Sequence, residues 1–354
     1  MKKTLKQVLG SEPRNFTMLV ALLVLLIGFN IISNGKMITP SNIQNLITGN
    51  AYVLILAIGM LMVIVIGQID LSVGSVAGFA GMAMALAARN WGIPWGLAVL
   101  MALALLMWKK KLVVAEYTVK APMDMDLLVL SDLHSMDFGE GQRELLDLVD
   151  ALSFDAILMP GDIFDDKVDD KKGYEFMGGI TKYKCYYILG NNEIISGKAE
   201  LHMKELASMG ITVLDDGKAI YKADDKQVEI WGFRDRHPWR MKDYAAHVAK
   251  KLDADTDFND YRIVLSHKPL TKDQFKDLNA DLIVAGHAHG GQWRLPPINN
   301  GVFAPNQGLF PKYAGGVYEA NGRFEVVSRG LARGLKLVPR LNNPPEIVLL
   351  HLRK

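Results

Sequence analysis

Five short apolar runs in this chain each stop at a residue able to hold a metal ion, and no other feature narrows the fold as far. LLVL leads into Asp132 and His134 (VLSDLHS), AILM into Asp162 (PGDIFDD), and CYYIL into Asn191 (GNNE). RIVL leads into His267 (SHKP), and LIVA into His287 and His289 (GHAHGGQ). Apolar runs of this length, closed by Gly, Pro or Ser, read as buried strands. The polar residues therefore sit just past strand carboxyl ends, where an α/β sheet gathers its functional loops. In Asp132-x-His134 and His287-x-His289, the i, i+2 spacing sends both side chains to one side of an extended segment, so that each pair can converge on metal.

Carboxylate, amide-oxygen and imidazole donors are the ligands that hard and borderline divalent ions take, and the seven residues supply all three without a thiolate. Cys185, the single cysteine, lies in an apolar run and is expected as a buried core thiol. Beyond the three lysines at 109–111 the pattern alternates between strand and helix. Strands are expected at 113–120, 156–159, 211–214, 228–233, 324–328 and 347–352. Helices are expected at 142–152, 199–208 and 244–252. Alternation followed by strand-rich stretches predicts a sheet sandwich covered by helices over residues 109–354.

Charge divides the chain more sharply than length does. Up to Met107 the only acids are Glu12 and Asp70, and the only bases Lys2, Lys3, Lys6, Arg14, Lys36 and Arg89. Subtracting these six bases and two acids from the totals of 40 and 38 leaves 34 and 36 for the remainder. That balance excludes a global charge argument for nucleic-acid binding. Residues 16–32, 51–66 and 93–108 approach the roughly 20 apolar residues that cross a bilayer as a helix, and 72–88 is a weaker fourth candidate. The reading is an all-α transmembrane segment over residues 1–108, with the lipid bilayer as a partner. Basic clusters before the first span and after the last place both in the cytoplasm. The expected location is an inner (plasma) membrane, crossed several times, with the soluble body in the cytosol. Asp70, flanked by Gly67 and Gly74, marks either a turn between helices or a break inside the membrane, where an acid is a functional candidate.

The stretch GQIDLSVGSVAG resembles the signature of permease subunits of ribose-type sugar ABC importers, over about the first 105 residues. The resemblance implies a truncated transporter piece. Its later helices and coupling loop have no counterpart here, and no G-x-x-x-x-G-K-[ST] occurs, so transporter partners are not expected.

From about residue 113 onward the motifs resemble the calcineurin-like metallophosphoesterases. AGHAHGGQWRLP, GLFPKYAGGVY and VSRGL are similar to the bacterial membrane-associated phosphodiesterase branch of that superfamily. The resemblance implies a four-layer α/β/β/α sandwich and two divalent metal ions, Mn, Fe or Zn. Asp132, His134 and His289 would hold the first ion, Asp162 would bridge both, and Asn191, His267 and His287 would hold the second. One position departs from the family. Where its motif reads Gly-Asn-His-Asp/Glu, this chain has Gly190-Asn191-Asn192-Glu193. Asn192, standing where a histidine serves the leaving group, can donate a hydrogen bond but cannot transfer a proton, a function typically worth about 10² to 10⁴-fold.

Other polar groups have blander readings. The acidic run Asp165, Asp166, Asp169 and Asp170 reads as a solvated loop, and His202, His237, His247 and His351 as surface or core residues. Trp293, Arg294, Trp239 and Arg240 are candidate rim contacts. The expected activity is hydrolysis of phosphodiester or pyrophosphate bonds, in lipid-linked or nucleotide-like compounds, by a membrane-tethered enzyme in which Asn191, Asn192 and Asp162 take part in catalysis. A sugar permease component and a phosphate-binding pseudoenzyme are the alternatives.

Overall fold

A run such as Leu282–Ala285, buried at every position, satisfies its backbone only by pairing on both sides and its side chains only by packing on both faces. The computed structural model shows where that happens. It describes residues 27–36, 39–45, 94, 97, 111–223, 226–237, 240–255, 261–294, 300–332, 334–335 and 338–354. The chain divides into two units, Met1–Leu106 and Met107–Lys354.

In the second unit the strands are, in order, β1 (Val113–Lys120), β2 (Met125–Val129), β3 (Ala156–Met159), β4 (Cys185–Tyr187), β5 (Thr212–Val213), β6 (Gly217–Ala223), β7 (Lys226–Phe233) and β8 (Tyr261–Ser266). They continue with β9 (Leu282–Ala285), β10 (Phe303–Ala304), β11 (Gly308–Leu309), β12 (Gly316–Ala320), β13 (Arg323–Val327), β14 (Gly334–Leu335), β15 (Val338–Pro339) and β16 (Glu346–Arg353). The helices are α1 (Arg143–Asp150), α2 (Lys171–Ile180), α3 (Asn191–Ile195), α4 (Ala199–Ser208), α5 (Met241–Asp253) and α6 (Lys272–Phe275). One six-stranded sheet runs β1-β16-β2-β3-β4-β5, and a second runs β12-β13-β9-β8-β7-β6.

Side-chain alternation then builds the layers. Leu127, Val129, Leu158, Ile188 and Leu350 face inward from the first sheet against Val228, Ile230, Ile263, Leu265 and Val284 of the second. Leu128, Ile157, Met159 and Tyr187 face outward against Leu145 and Val149 of α1, Phe176 and Ile180 of α2 and Leu206 of α4. On the far side Phe233, Val264 and Ile283 pack against Tyr244, Val248 and Leu252 of α5. The order is helix, sheet, sheet, helix. Strands β2 to β5 are parallel, as are β7, β8, β9 and β13, so the loops that follow them open on one edge of each sheet.

Helix α4 spans the expected residues, whereas α5 starts three residues earlier than the apolar spacing indicates. Helix α2 and strands β6 and β12 carry no clear apolar period and were not expected. Cys185 is buried on β4, and burial pushes its thiol up to about 12.

The membrane reading is corrected here. Among the described residues no helix is long and apolar enough to cross a membrane. The all-α transmembrane segment, the bilayer as partner, the membrane tether and the multi-pass inner-membrane location therefore lack the element they require. The four expected spans lie wholly or largely outside the described residues. In the first unit, residues 27–32 and 40–45 are helical.

Candidate metal centre

The loops after β2, β3, β4, β8 and β9 bring the seven expected ligands together. Two groups form, Asp132 with His134 and His289, and Asp162 with His267 and His287; within each, one ligand atom per residue lies within 4.8 Å of the others. In the second group His267 Nε2 lies 3.2 Å from Asp162 Oδ2, 3.1 Å from Asn191 Oδ1 and 3.1 Å from His287 Nδ1. In the first, His289 Nε2 lies 3.9 Å from Asp132 Oδ1, and His134 Nε2 lies 3.8 Å from the same Asp162 Oδ2. One carboxylate oxygen thus faces both groups.

The grouping expected from the i, i+2 spacing occurs for one pair and not for the other. Asp132 and His134 share a group, but His287 and His289 are divided between the two. Neither pair has the extended backbone that the spacing assumes. Asp132, His134, Asp162, His287 and His289 have φ of 54°, 51°, 55°, 65° and 47°. These are left-handed conformations rather than extended ones. Each is unfavourable for a residue with a Cβ, and such strain collects at functional sites. Hydrogen bonds hold it in place: Asp132 N donates to Gly161 O, His134 N to Asp162 O, and Ala332 N to Asp132 O. His287 N donates to Asp132 Oδ1 at 3.0 Å, joining the two sheets through the site. A Cβ on Gly190 would lie 2.1 Å from Asp162 Oδ1, and one on Gly286 would lie 2.4 Å from Asp132 Oδ2, so glycine permits the close approach at both places.

Divalent cations fit this donor set. Among the described residues His134 Nε2 is buried with no hydrogen-bond partner, aimed towards Asp162 Oδ2 at a distance too long for a hydrogen bond. His267 Nδ1 lies 2.7 Å from Pro160 O, an acceptor only, so this nitrogen carries a proton and donates, and in the neutral ring Nε2 keeps its lone pair for the second group. Burial opposes charge on Asp162, yet His267, His134 and His287 hold its carboxyl well below the ordinary range. Burial likewise opposes charge on His267, but Asp162 pushes it up to about 10. Burial, with Asp162 adding repulsion, raises Asp132. Burial and neighbouring positive charge push His287 and His289 well below the usual imidazole range. Protons and cations compete for the same atoms here.

Residues outside the expected set complete the surroundings. Asp165, expected in a solvated loop, is buried, with Oδ2 3.5 Å from His134 Nδ1. Its signal was local: it stands three residues beyond Asp162 in Gly-Asp-x-x-Asp. Glu193 is buried and accepts from the backbone N–H groups of Gly190, Asp162 and Phe164, tying the β3 and β4 loops together. Asn192 does not stand free to face a leaving group: its N and Nδ2 donate to Asp162 Oδ1 and Oδ2 at 2.9 and 2.5 Å. Arg340 is fully buried, with Nη2 3.4 Å from His289 Nδ1, and burial lowers its guanidinium to about 10. Asn306 approaches His287 from a separate hairpin. Of the candidate rim residues, Trp293 is exposed, Arg294 Nε donates to Gly290 O, and Arg240 pairs with Asp243; Trp239 lies outside the described residues.

The comparisons agree with this geometry. The model of the calcineurin-like phosphoesterase family matches residues 125–291, a little under half of the chain. The protein is a metallophosphoesterase-type hydrolase, and its cofactors are two divalent metal ions. The chain is similar to the phosphodiesterase YaeI of Escherichia coli, 29% identical over 241 residues that cover 64% of this chain and 81% of that protein. It is also similar to the UDP-2,3-diacylglucosamine pyrophosphatase LpxG of Chlamydia trachomatis, 36% identical over 112 residues, 29% of this chain and 33% of that one. A third likeness is to the xylose transport system permease protein XylH of Haemophilus influenzae, 37% identical over 90 residues, 25% of this chain and 24% of that permease. The permease reading is nevertheless corrected. The match takes in about a quarter of a permease, and the described residues contain no membrane-crossing helix.

Proposed function

We propose that this protein hydrolyses phosphodiesters, with Asp132, His134 and His289 holding one divalent cation, Asn191, His267 and His287 holding the other, and Asp162 shared between them. The observation that carries the reading is that Asp162 Oδ2 faces both groups, 3.2 Å from His267 Nε2 and 3.8 Å from His134 Nε2. Cations in such a pair neutralise charge on phosphoryl oxygens and favour deprotonation of water near neutral pH. The chain's own groups hold and orient. His267 is fixed by Pro160 O, His134 faces Asp165, and the Asn192 amide steadies Asp162. A diester fits the name of the YaeI relative, which is called a phosphodiesterase.

With Asn192 in place of a proton donor, the substrates turned over well are those whose leaving group needs no proton. The test is hydrolysis of a bis-aryl phosphodiester by chelator-stripped protein, before and after adding back Mn²⁺, Fe²⁺ or Zn²⁺. Activity that appears only with metal, and saturates near two equivalents, is expected. Equal activity of the stripped protein, or none with any of the three ions, would refute the reading.

A further inference from the structure

Strands β10 and β11 pair Phe303 with Leu309 and Ala304 with Gly308, forming a short hairpin outside both main sheets. One side of it is anchored. Ala304 is buried in a cluster with Ala285, Ala288, Ala314 and Val327, and the Gln307 side chain both donates to Tyr313 O and accepts from Tyr313 N. At the tip Asn306 adopts φ 61°, a left-handed conformation that asparagine tolerates better than most residues. That conformation carries its amide to the metal centre, with Nδ2 3.1 Å from His287 Nε2. The other ring nitrogen, Nδ1, faces the second group, 3.1 Å from His267 Nε2. Asn306 therefore stands on the outward nitrogen of a ligand whose inward nitrogen is the donor.

We propose that Asn306 is the positioning residue for His287, and that through it the hairpin sets the affinity of the second cation site. This rests on His287 being a ligand, as proposed above. A ligating histidine has its second nitrogen hydrogen-bonded, which fixes the tautomer and the ring orientation; loss of such a partner typically costs about 10 to 100-fold in metal affinity. An asparagine amide can serve the ring in either protonation arrangement. It donates through Nδ2 when Nε2 is bare and accepts through Oδ1 when Nε2 carries the proton, as it does once Nδ1 is given to a cation. Asn306 is itself exposed, so removing its amide leaves no cavity in a core.

The experiment titrates stripped full-length protein with Mn²⁺ and Zn²⁺ alone, by calorimetry, in wild type, Asn306→Gly and Asn306→Asp. Glycine removes the amide while accommodating the left-handed backbone, and aspartate restores only the acceptor. The expected result is two equivalents in wild type, with one binding step weakened about 10 to 100-fold in Asn306→Gly, the other step unchanged, and the weakened step recovered in Asn306→Asp. Wild type binding two equivalents, with Asn306→Gly matching it at both steps, overturns the role of Asn306 alone. Equal weakening in the Gly and Asp variants also overturns it, because a hairpin needed only for its shape would not be rescued by an acceptor. Fewer than two equivalents in wild type overturns this inference together with the site it rests on.

Discussion

Asp162 is the residue on which the two halves of the centre depend. Its Oδ2 faces His267 and His134, and its Oδ1 accepts from Asn192 N, so replacing the carboxylate removes charge from both proposed cation sites at once. His134 belongs to one group only. Asp162→Asn is therefore expected to lose most of both metals, and His134→Asn about one equivalent, as read by elemental analysis of the purified proteins. Full metal content in Asp162→Asn would remove it from the shared position. Asn192 raises a separate expectation. Its amide donates to Asp162, so a histidine there must both give up that contact and turn towards the leaving group to be useful. Asn192→His should raise kcat for alkyl phosphodiesters, by up to about 10²-fold, and change aryl esters little, because only the alkoxide needs a proton as it departs. A parallel change on both ester classes would mean that the substitution acts on Asp162 rather than on the leaving group.

Strand β13 carries a charge problem of its own. Glu325 is fully buried; its Oε1 accepts from Leu270 N, and among the described residues its Oε2 has no hydrogen-bond partner. Burial raises its pKa well above the ordinary 4.5. The folded state therefore holds a proton that the unfolded chain has released, so this residue's contribution is fullest below pH 4.5 and declines as pH rises towards the folded value. Each unit of that interval is worth about 1.4 kcal/mol. Glu325→Gln is expected to flatten the fall in stability above pH 4.5 and to match or exceed wild type at pH 8, measured by denaturant midpoints across pH. A wild-type slope that persists in the variant would assign the dependence to other groups. Elements differ in how far they could be read beforehand. Buried runs such as β3, β8 and β9 announce themselves, because three or four consecutive apolar residues closed by Gly, Pro or Ser have few alternatives. Helix α2, KKGYEFMGGI, does not: three glycines dilute its period, and its burial on Phe176, Met177 and Ile180 is decided by the sheet beneath it.

At the scale of the whole molecule the metal centre links the two sheets. His287 N donates to Asp132, and His267, which follows β8, faces Asp162, which follows β3. Cations bound there hold the folded state alone, and each site stabilises by about 2.7 kcal/mol at a free concentration 100 times its dissociation constant. Without metal, the protonated His267 beside Asp162 supplies part of this cohesion. Because the His267 pKa is raised from 6.5 to about 10, that part is full below 6.5 and lost as pH climbs through 10. The gap in Tm between metal-loaded and stripped protein should accordingly widen between pH 6.5 and 10, as scanning calorimetry would register. A gap that narrows over that range would contradict it.

What the sequence determined by itself was the chemistry and its order along the chain. Asp132, His134, Asp162, Asn191, His267, His287 and His289 are legible because each motif is local: an apolar run, a turn residue and a donor within a few positions. Only the tertiary structure decided how those donors are divided. Five of them have left-handed backbone in place of the extended segment that the spacing assumes, and His287 and His289 go to different groups while Asp132 and His134 share one. Asp165 behind His134 and Asn306 behind His287 entered by the same route. Their roles arise where separate loops meet in space, and side-chain spacing along one segment carries no record of such a meeting.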